Sequence, residues 1–233
     1  MATQPGRATN DLDYRISIGA YVNARLQVNP KAFRIPCNDL LDIYIVRDFL
    51  DARDCSELIA LIDADNEPSK LLSYNGDNEF RTSHSCNVDP ADPTVLRIEA
   101  KLTSLLGIEP LHGETIQGQR YQVGQQFKPH YDFFHKGEVY WDEMMRTGGQ
   151  RTWTAMVFLN DVEGGGETNF TNCPARVTPR RGNLLCWNNL DSIGQPNPYA
   201  MHQGCAVSAG TKYIITKWYR EGRWRLPAAG PAS

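Results

Sequence analysis

The sequence has no surplus of positive charge: across 233 residues, 24 Lys and Arg stand against 27 Asp and Glu, a net charge of -3. Nothing in that balance would hold a polyphosphate backbone or an anionic bilayer, so neither nucleic acid nor membrane is an expected partner. No stretch approaches the ~18 apolar residues needed to cross a bilayer, and the opening MATQPGRATN lacks the apolar core of a secretory leader. Six cysteines (Cys37, Cys55, Cys86, Cys173, Cys186, Cys205) include no C-x-x-C pair, so the expectation is mostly buried thiols in a reduced, cytoplasmic setting. Cys173 reads as a passive loop cysteine. Repeats, heptads and low-complexity tracts are absent, and Gly164-Gly165-Gly166 lacks the strand–GxxxxGK–helix context of a phosphate loop. What remains is an ordinary globular composition, with 41% hydrophobic and 22% charged residues.

Residues 1–38 mix polar residues with Pro5, Pro30 and Pro36 and read as a poorly ordered or extended lead-in. Residues 39–222 read as one domain, and residues 223–233 as a small-residue, Pro-rich tail. The run Leu40 to Phe49 is β-branched and aromatic, hence a buried strand. After it, Asp51 caps a helix whose Cys55, Leu58, Ile59 and Ile62 share one face. A second helix follows Asp92, with Pro93 in its first turn and Gly107 as its stop. Asn75-Gly76 signals a turn between the two. Beyond Glu109 the texture becomes short strands separated by Gly, Pro and Asn. An α+β, mainly β fold is expected, a sandwich, barrel or jelly roll with the helices packed on one face.

The chemistry starts from His130-Tyr131-Asp132. Residues two apart in a strand point to one side, so an imidazole and a carboxylate can converge on one point. Five histidines and 16 aspartates give ~0.3 such pairs by chance, so the pair alone carries little. His202, in the later segment MHQGCAVS, makes a two-His-one-carboxylate set available, which leaves open positions on a metal where a structural zinc site would close its shell. Lys212 opens the last strand and shares a face with Ile214, Thr216 and Trp218. An exposed edge lysine is the plain alternative for Lys212, yet its place just after His202 suits an anchor for a carboxylate.

These residues carry a resemblance. Arg120-Tyr121, KPHYD ending at Asp132, GGQRTWTAMVFLND, GGGETNF, the turn Pro179 to Gly182, the late histidine and GTKYIITKWYR together resemble the Fe(II)/2-oxoglutarate dioxygenases of the prolyl 4-hydroxylase family. Upstream, IVRDFLDARDCSELIALID and Arg81-Thr82-Ser83 extend the likeness over roughly residues 40 to 222. The resemblance implies a double-stranded β-helix (jelly-roll) core, with His130, Asp132 and His202 as catalytic ligands of Fe(II). It implies that Lys212, with Tyr121 and Thr168, binds the far carboxylate of 2-oxoglutarate. Arg81, Glu114, Arg151 and Trp218 would border a peptide groove, although core packing for Trp218 and surface ion pairs for Arg81 and Glu114 are equally good readings. FFHKGEVYWDEMMRTGG, which contains His135, reads as a mobile flap over the pocket.

The implied reaction is hydroxylation of a prolyl residue in a peptide or protein with O2, giving 4-hydroxyproline, succinate and CO2, with L-ascorbate keeping the iron reduced. The alternatives are a hydroxylase of another residue, a free amino acid or a small metabolite, or a non-catalytic jelly-roll metal-binding module. A zinc hydrolase lacks the general base of an H-E-x-x-H motif.

Overall fold

The computed structural model describes residues 11–71, 77 and 79–224. In chain order the elements are α1 (Leu12–Gln27), β1 (Ala32–Arg34), β2 (Ile43–Val46), α2 (Ala52–Ala64), β3 (Glu67–Pro68), β4 (His84–Asn87), α3 (Pro93–Leu106), β5 (Gln117–Tyr121) and β6 (Phe127–His130). They continue as α4 (Trp141–Arg146), β7 (Arg151–Phe158), β8 (Gly164–Gly165), β9 (Thr168–Phe170), β10 (Ala175–Val177), β11 (Leu184–Asn188), β12 (His202–Gly204), β13 (Val207–Ala209) and β14 (Lys212–Arg220). A large antiparallel sheet runs β1-β2-β11-β7-β14-β5-β4-β3, and a smaller one, β10-β9-β12-β6, faces it.

Strict alternation along the central strands builds two cores. On β7, Trp153, Ala155 and Val157 join Leu184, Cys186, Ile215 and Tyr219 beneath the helices. Met156 and Phe158, with Leu185, Trp187 and Ile214, point the other way, toward the small sheet. Both faces of the large sheet are therefore buried, which is why β7 and β11 read as continuous apolar runs. The expected jelly-roll core with helices on one face is what forms.

The two expected helices appear with their expected ends. Asp51 accepts from the Asp54 amide at 2.8 Å, and Asp92 from Thr94 and Val95 at 2.7 and 3.3 Å. Gly107 closes α3 at φ +72°, where a side chain would strain the backbone. Buried Asp54 ties the pair together through Arg97 and Lys101.

Two expectations need correction. Residues 12–27 are neither poorly ordered nor extended: Asp11 caps α1, which buries Ile18, Val22 and Leu26 and seats Arg15 on buried Glu221 at 2.7 and 3.0 Å. The helix had been obscured by the polar residues around its narrow apolar stripe. Cys173 is no passive thiol, because it is bonded to Cys37, 136 residues away, while Cys55, Cys86, Cys186 and Cys205 stay free. Buried Gln150, just past the expected flap, holds both the amide and the carbonyl of Phe134 at 2.7 and 2.9 Å and so brings the two ends of that segment together. The Asn75-Gly76 turn, residues 1–10 of the lead-in and residues 225–233 of the tail lie outside the described residues.

Candidate active site

The cleft between the two sheets gathers residues from distant parts of the sequence. The strand β6 ends at His130, which pairs across to His202 on β12. Asp132 reaches the same point from the turn just beyond the strand. One donor atom from each of these side chains lies within 4.8 Å of the other two. Both imidazoles turn their Nε2 toward the Asp132 carboxylate, at 3.8 Å for His130 and 3.9 Å for His202.

The far ring nitrogens explain that orientation. His130 Nδ1 meets the Lys128 carbonyl at 2.8 Å, and His202 Nδ1 meets the Ala200 carbonyl at 2.9 Å. A carbonyl can only accept, so each Nδ1 carries the proton and each Nε2 offers a lone pair to a metal. Phe127 stacks on His130 with centroids 3.5 Å apart, and Trp187 meets His202 edge-on at 4.7 Å. Burial and the neighbouring His202 push the pKa of His130 down to about 3, keeping the ring neutral. Burial opposes the charge of Asp132, but the facing imidazoles, Arg151 and a hydrogen bond from Thr154 outweigh it and hold the carboxyl below its ordinary range. Thr154 donates to Asp132 Oδ2 at 2.8 Å and accepts from Asn189 at 2.8 Å, and Asn189 in turn accepts from Trp187 at 3.0 Å. These residues fit a divalent iron: two neutral nitrogens and one anionic oxygen, each fixed from behind, with the opposite side left to the cleft.

A second feature lies along the same wall. Lys212 is 1% exposed and makes no hydrogen bond among the described residues, with the Tyr121 and Phe158 rings 5.2 and 5.7 Å from its ammonium. Burial lowers its pKa to about 8. Thr168 Oγ1 is buried without a partner too. Lys212, Tyr121 and Thr168 all line the cleft with His130, Asp132 and His202. A buried cation and an unpaired hydroxyl in one cleft fit one carboxylate group, as 2-oxoglutarate would supply.

The expected groove residues divide. Trp218 lines the cleft, whereas Arg81, Glu114 and Arg151 do not. Arg151 holds Glu114 through two bonds of 2.6 and 2.7 Å, reaches the Asp132 carbonyl at 3.3 Å and covers the Trp218 ring at 4.2 Å. Glu114 is shared with Arg220, 3.2 Å away, and Arg151 and Arg220 outweigh the burial that opposes its charge. Arg81 covers the Phe127 ring at 4.8 Å. Thr154, Asn189, Phe127, Gln117 and Gln119 escaped sequence reasoning, because a neutral polar or aromatic residue in a strand carries no pattern of its own.

Comparison with known proteins matches this architecture. Residues 116–220 match the family model of the 2OG-Fe(II) oxygenase superfamily. Over 207 residues the chain is 30% identical to probable prolyl 4-hydroxylase 10 of Arabidopsis thaliana, covering 78% of this chain and 70% of the plant protein. The chain belongs to the prolyl 4-hydroxylase family. Another relative in that family, prolyl 4-hydroxylase subunit alpha-1 of Rattus norvegicus, is 35% identical over 159 residues, 67% of this chain and 29% of the rat subunit. Among solved structures, the viral collagen prolyl hydroxylase of Paramecium Bursaria Chlorella virus-1 in its 2OG complex superposes with a TM-score of 0.62 at 25% identity, over 76% of this chain and 95% of that one. A Trichoplax adhaerens prolyl hydroxylase shares the fold at 15% identity, with a TM-score of 0.59 over 90% and 92% of the two chains. This prolyl 4-hydroxylase family member is a 2-oxoglutarate-dependent dioxygenase.

Proposed function

We propose that the protein hydroxylates a prolyl residue of a peptide or protein at C4, consuming 2-oxoglutarate and O2 and releasing succinate and CO2. The observation that carries the reading is one cleft lined both by a three-membered ligand set and by a buried ammonium with no acceptor among the described residues. His130, Asp132 and His202 would hold Fe(II), which together with 2-oxoglutarate supplies the oxidising power to place a hydroxyl on carbon. Lys212 neutralises the far carboxylate, and Tyr121 and Thr168 donate to it. Ile214, Met156 and Trp187 line the cleft with apolar surface that limits water around the ligands. Trp218, braced by Arg151, forms the wall against which a proline ring would be held, with Arg81 and Glu114 in its support. Ascorbate is the proposed external reductant.

The names of the relatives support a prolyl substrate, and the neighbour solved with a peptide fragment supports a peptidyl one. A metal-binding module without catalysis has no use for Lys212. The test is anaerobic loading with Fe(II) and 2-oxoglutarate, then air and a proline-rich peptide, reading succinate and a peptide mass gain of about 16 Da together. Both signals are expected. Succinate without the mass gain discards the prolyl substrate, and neither signal discards the enzyme.

A further inference from the structure

The wall opposite the small sheet is lined by two paired strands. Lys212 faces Tyr121, Ile214 faces Gln119 and Thr216 faces Gln117 across β14 and β5. Alternation sends all six side chains to one side, so two glutamines stand between the cosubstrate anchor and Arg81. Their bonds are continuous. The Tyr121 hydroxyl donates to Gln119 Oε1 at 2.7 Å, and Gln119 Nε2 donates to Gln117 Oε1 and Thr216 Oγ1, both at 3.2 Å. Gln117 Oε1 also receives Arg81 Nη2 at 2.7 Å.

The chain starts at a conflict. A phenol has one proton to donate, and in the ligand-free protein Gln119 has it, although Tyr121 lies beside Lys212 at the carboxylate end. A carboxylate there is the stronger acceptor, because the bond to it is charge-assisted. Losing the phenol leaves Gln119 Oε1, in a side chain only 4% exposed, without its donor. On the same strand face, two positions beyond Thr216, the Nε1–H of Trp218 is buried with no acceptor among the described residues. Turning toward it withdraws Gln119 Nε2 from Gln117, whose oxygen is then left to Arg81 alone.

We propose that Gln119 is a positioning residue that couples the two ligands: cosubstrate takes the Tyr121 hydroxyl, the Gln119 amide re-aims, and Arg81 is fixed for the peptide. The proposal rests on the assignment of Lys212 and Tyr121 to 2-oxoglutarate and of the neighbouring groove to a prolyl peptide. Coupling of this kind is reciprocal, so each ligand must tighten the other by the same factor.

The experiment is calorimetry on Fe(II)-loaded protein under argon, titrating 2-oxoglutarate with and without a saturating proline-rich peptide, and the peptide with and without 2-oxoglutarate. In the wild type each ligand is expected to tighten the other about fivefold. Gln119→Leu is expected to bring that factor to about one while 2-oxoglutarate alone binds as tightly as before or tighter, since the phenol no longer has to leave an acceptor. Gln117→Leu should remove the coupling and leave 2-oxoglutarate affinity unchanged. An unchanged coupling factor in Gln119→Leu, no coupling in the wild type, or weakened 2-oxoglutarate binding by Gln119→Leu overturns the proposal. If the wild type binds 2-oxoglutarate but no peptide, the substrate reading fails separately. In that case tighter cosubstrate binding by Gln119→Leu still supports the release of Tyr121, and weaker binding refutes it.

Discussion

Replacing Lys212 by methionine should strengthen the fold and disable the site at once. Burial brings the lysine down from 10.5 to about 8, which puts about 3 kcal/mol against its charged form. Below that pH the ammonium is charged in folded and unfolded chain alike, so the whole cost falls on the folded state. It fades only as pH rises from about 8 toward 10.5. Methionine fills a similar volume without the charge. A ligand-free melt at neutral pH should therefore shift up by roughly 5 to 10 °C, and the gain should shrink in more alkaline buffer. Cosubstrate reverses the order, because losing a charge-assisted contact of roughly 1.5 to 3 kcal/mol should weaken 2-oxoglutarate about 10- to 100-fold in anaerobic calorimetry. In the wild type a bound carboxylate restores the ammonium, so binding takes up a proton above pH 8 and affinity should fall there by up to about tenfold per pH unit. A methionine variant that melts below the wild type and keeps its 2-oxoglutarate affinity refutes both the buried-charge arithmetic and the role given to Lys212.

Thr154→Val removes the donor to Asp132 and the acceptor of Asn189, and should weaken metal binding about 10- to 100-fold in a Co(II) titration. Trp218→Ala should spare 2-oxoglutarate decarboxylation without peptide and impair hydroxylation, which succinate and peptide mass resolve; equal loss of both would show a folding defect instead. Arg15→Met strips buried Glu221 of its guanidinium, and a urea titration should read about 3 to 5 kcal/mol of lost stability. Thiol titration of the denatured, unreduced protein should count the four free cysteines and not all six. Because such bonds persist in oxidising surroundings, a count of six would instead favour the reduced cytoplasmic placement suggested by cysteine spacing.

The parts of the molecule legible in its sequence are those where one residue type has one use. Asp92, Pro93 and Gly107 mark both ends of α3 because a cap, a fixed φ and a positive φ each demand a particular residue. His130, Asp132, His202 and Lys212 stood out because charge and ligation are scarce chemistry, and the cleft brings them together. The helix α1 was missed although Asp11 caps it and Ile18, Val22 and Leu26 recur every four residues: one stripe that narrow, among polar neighbours and prolines, does not distinguish a docked helix from an extended arm. Cys37 and Cys173 lie 136 residues apart in the chain, and no spacing rule links cysteines that only the tertiary fold brings together. The glutamines of β5 carry no sequence signal at all, since an amide becomes informative only when its partners are known.

The strand order has a consequence for synthesis on the ribosome. The strand that carries Lys212 is made after every other strand of the large sheet, yet it is inserted in the middle of that sheet, between β7 and β5. Until it emerges, those two strands present bare edges to the cell, the situation in which chains pair with their neighbours. Long-range closure of this kind is also slow. The nascent chain can own its helices together with His130, Asp132 and His202 and still lack both a closed sheet and Lys212, so translation halted before residue 212 should yield an aggregating fragment rather than a weak enzyme.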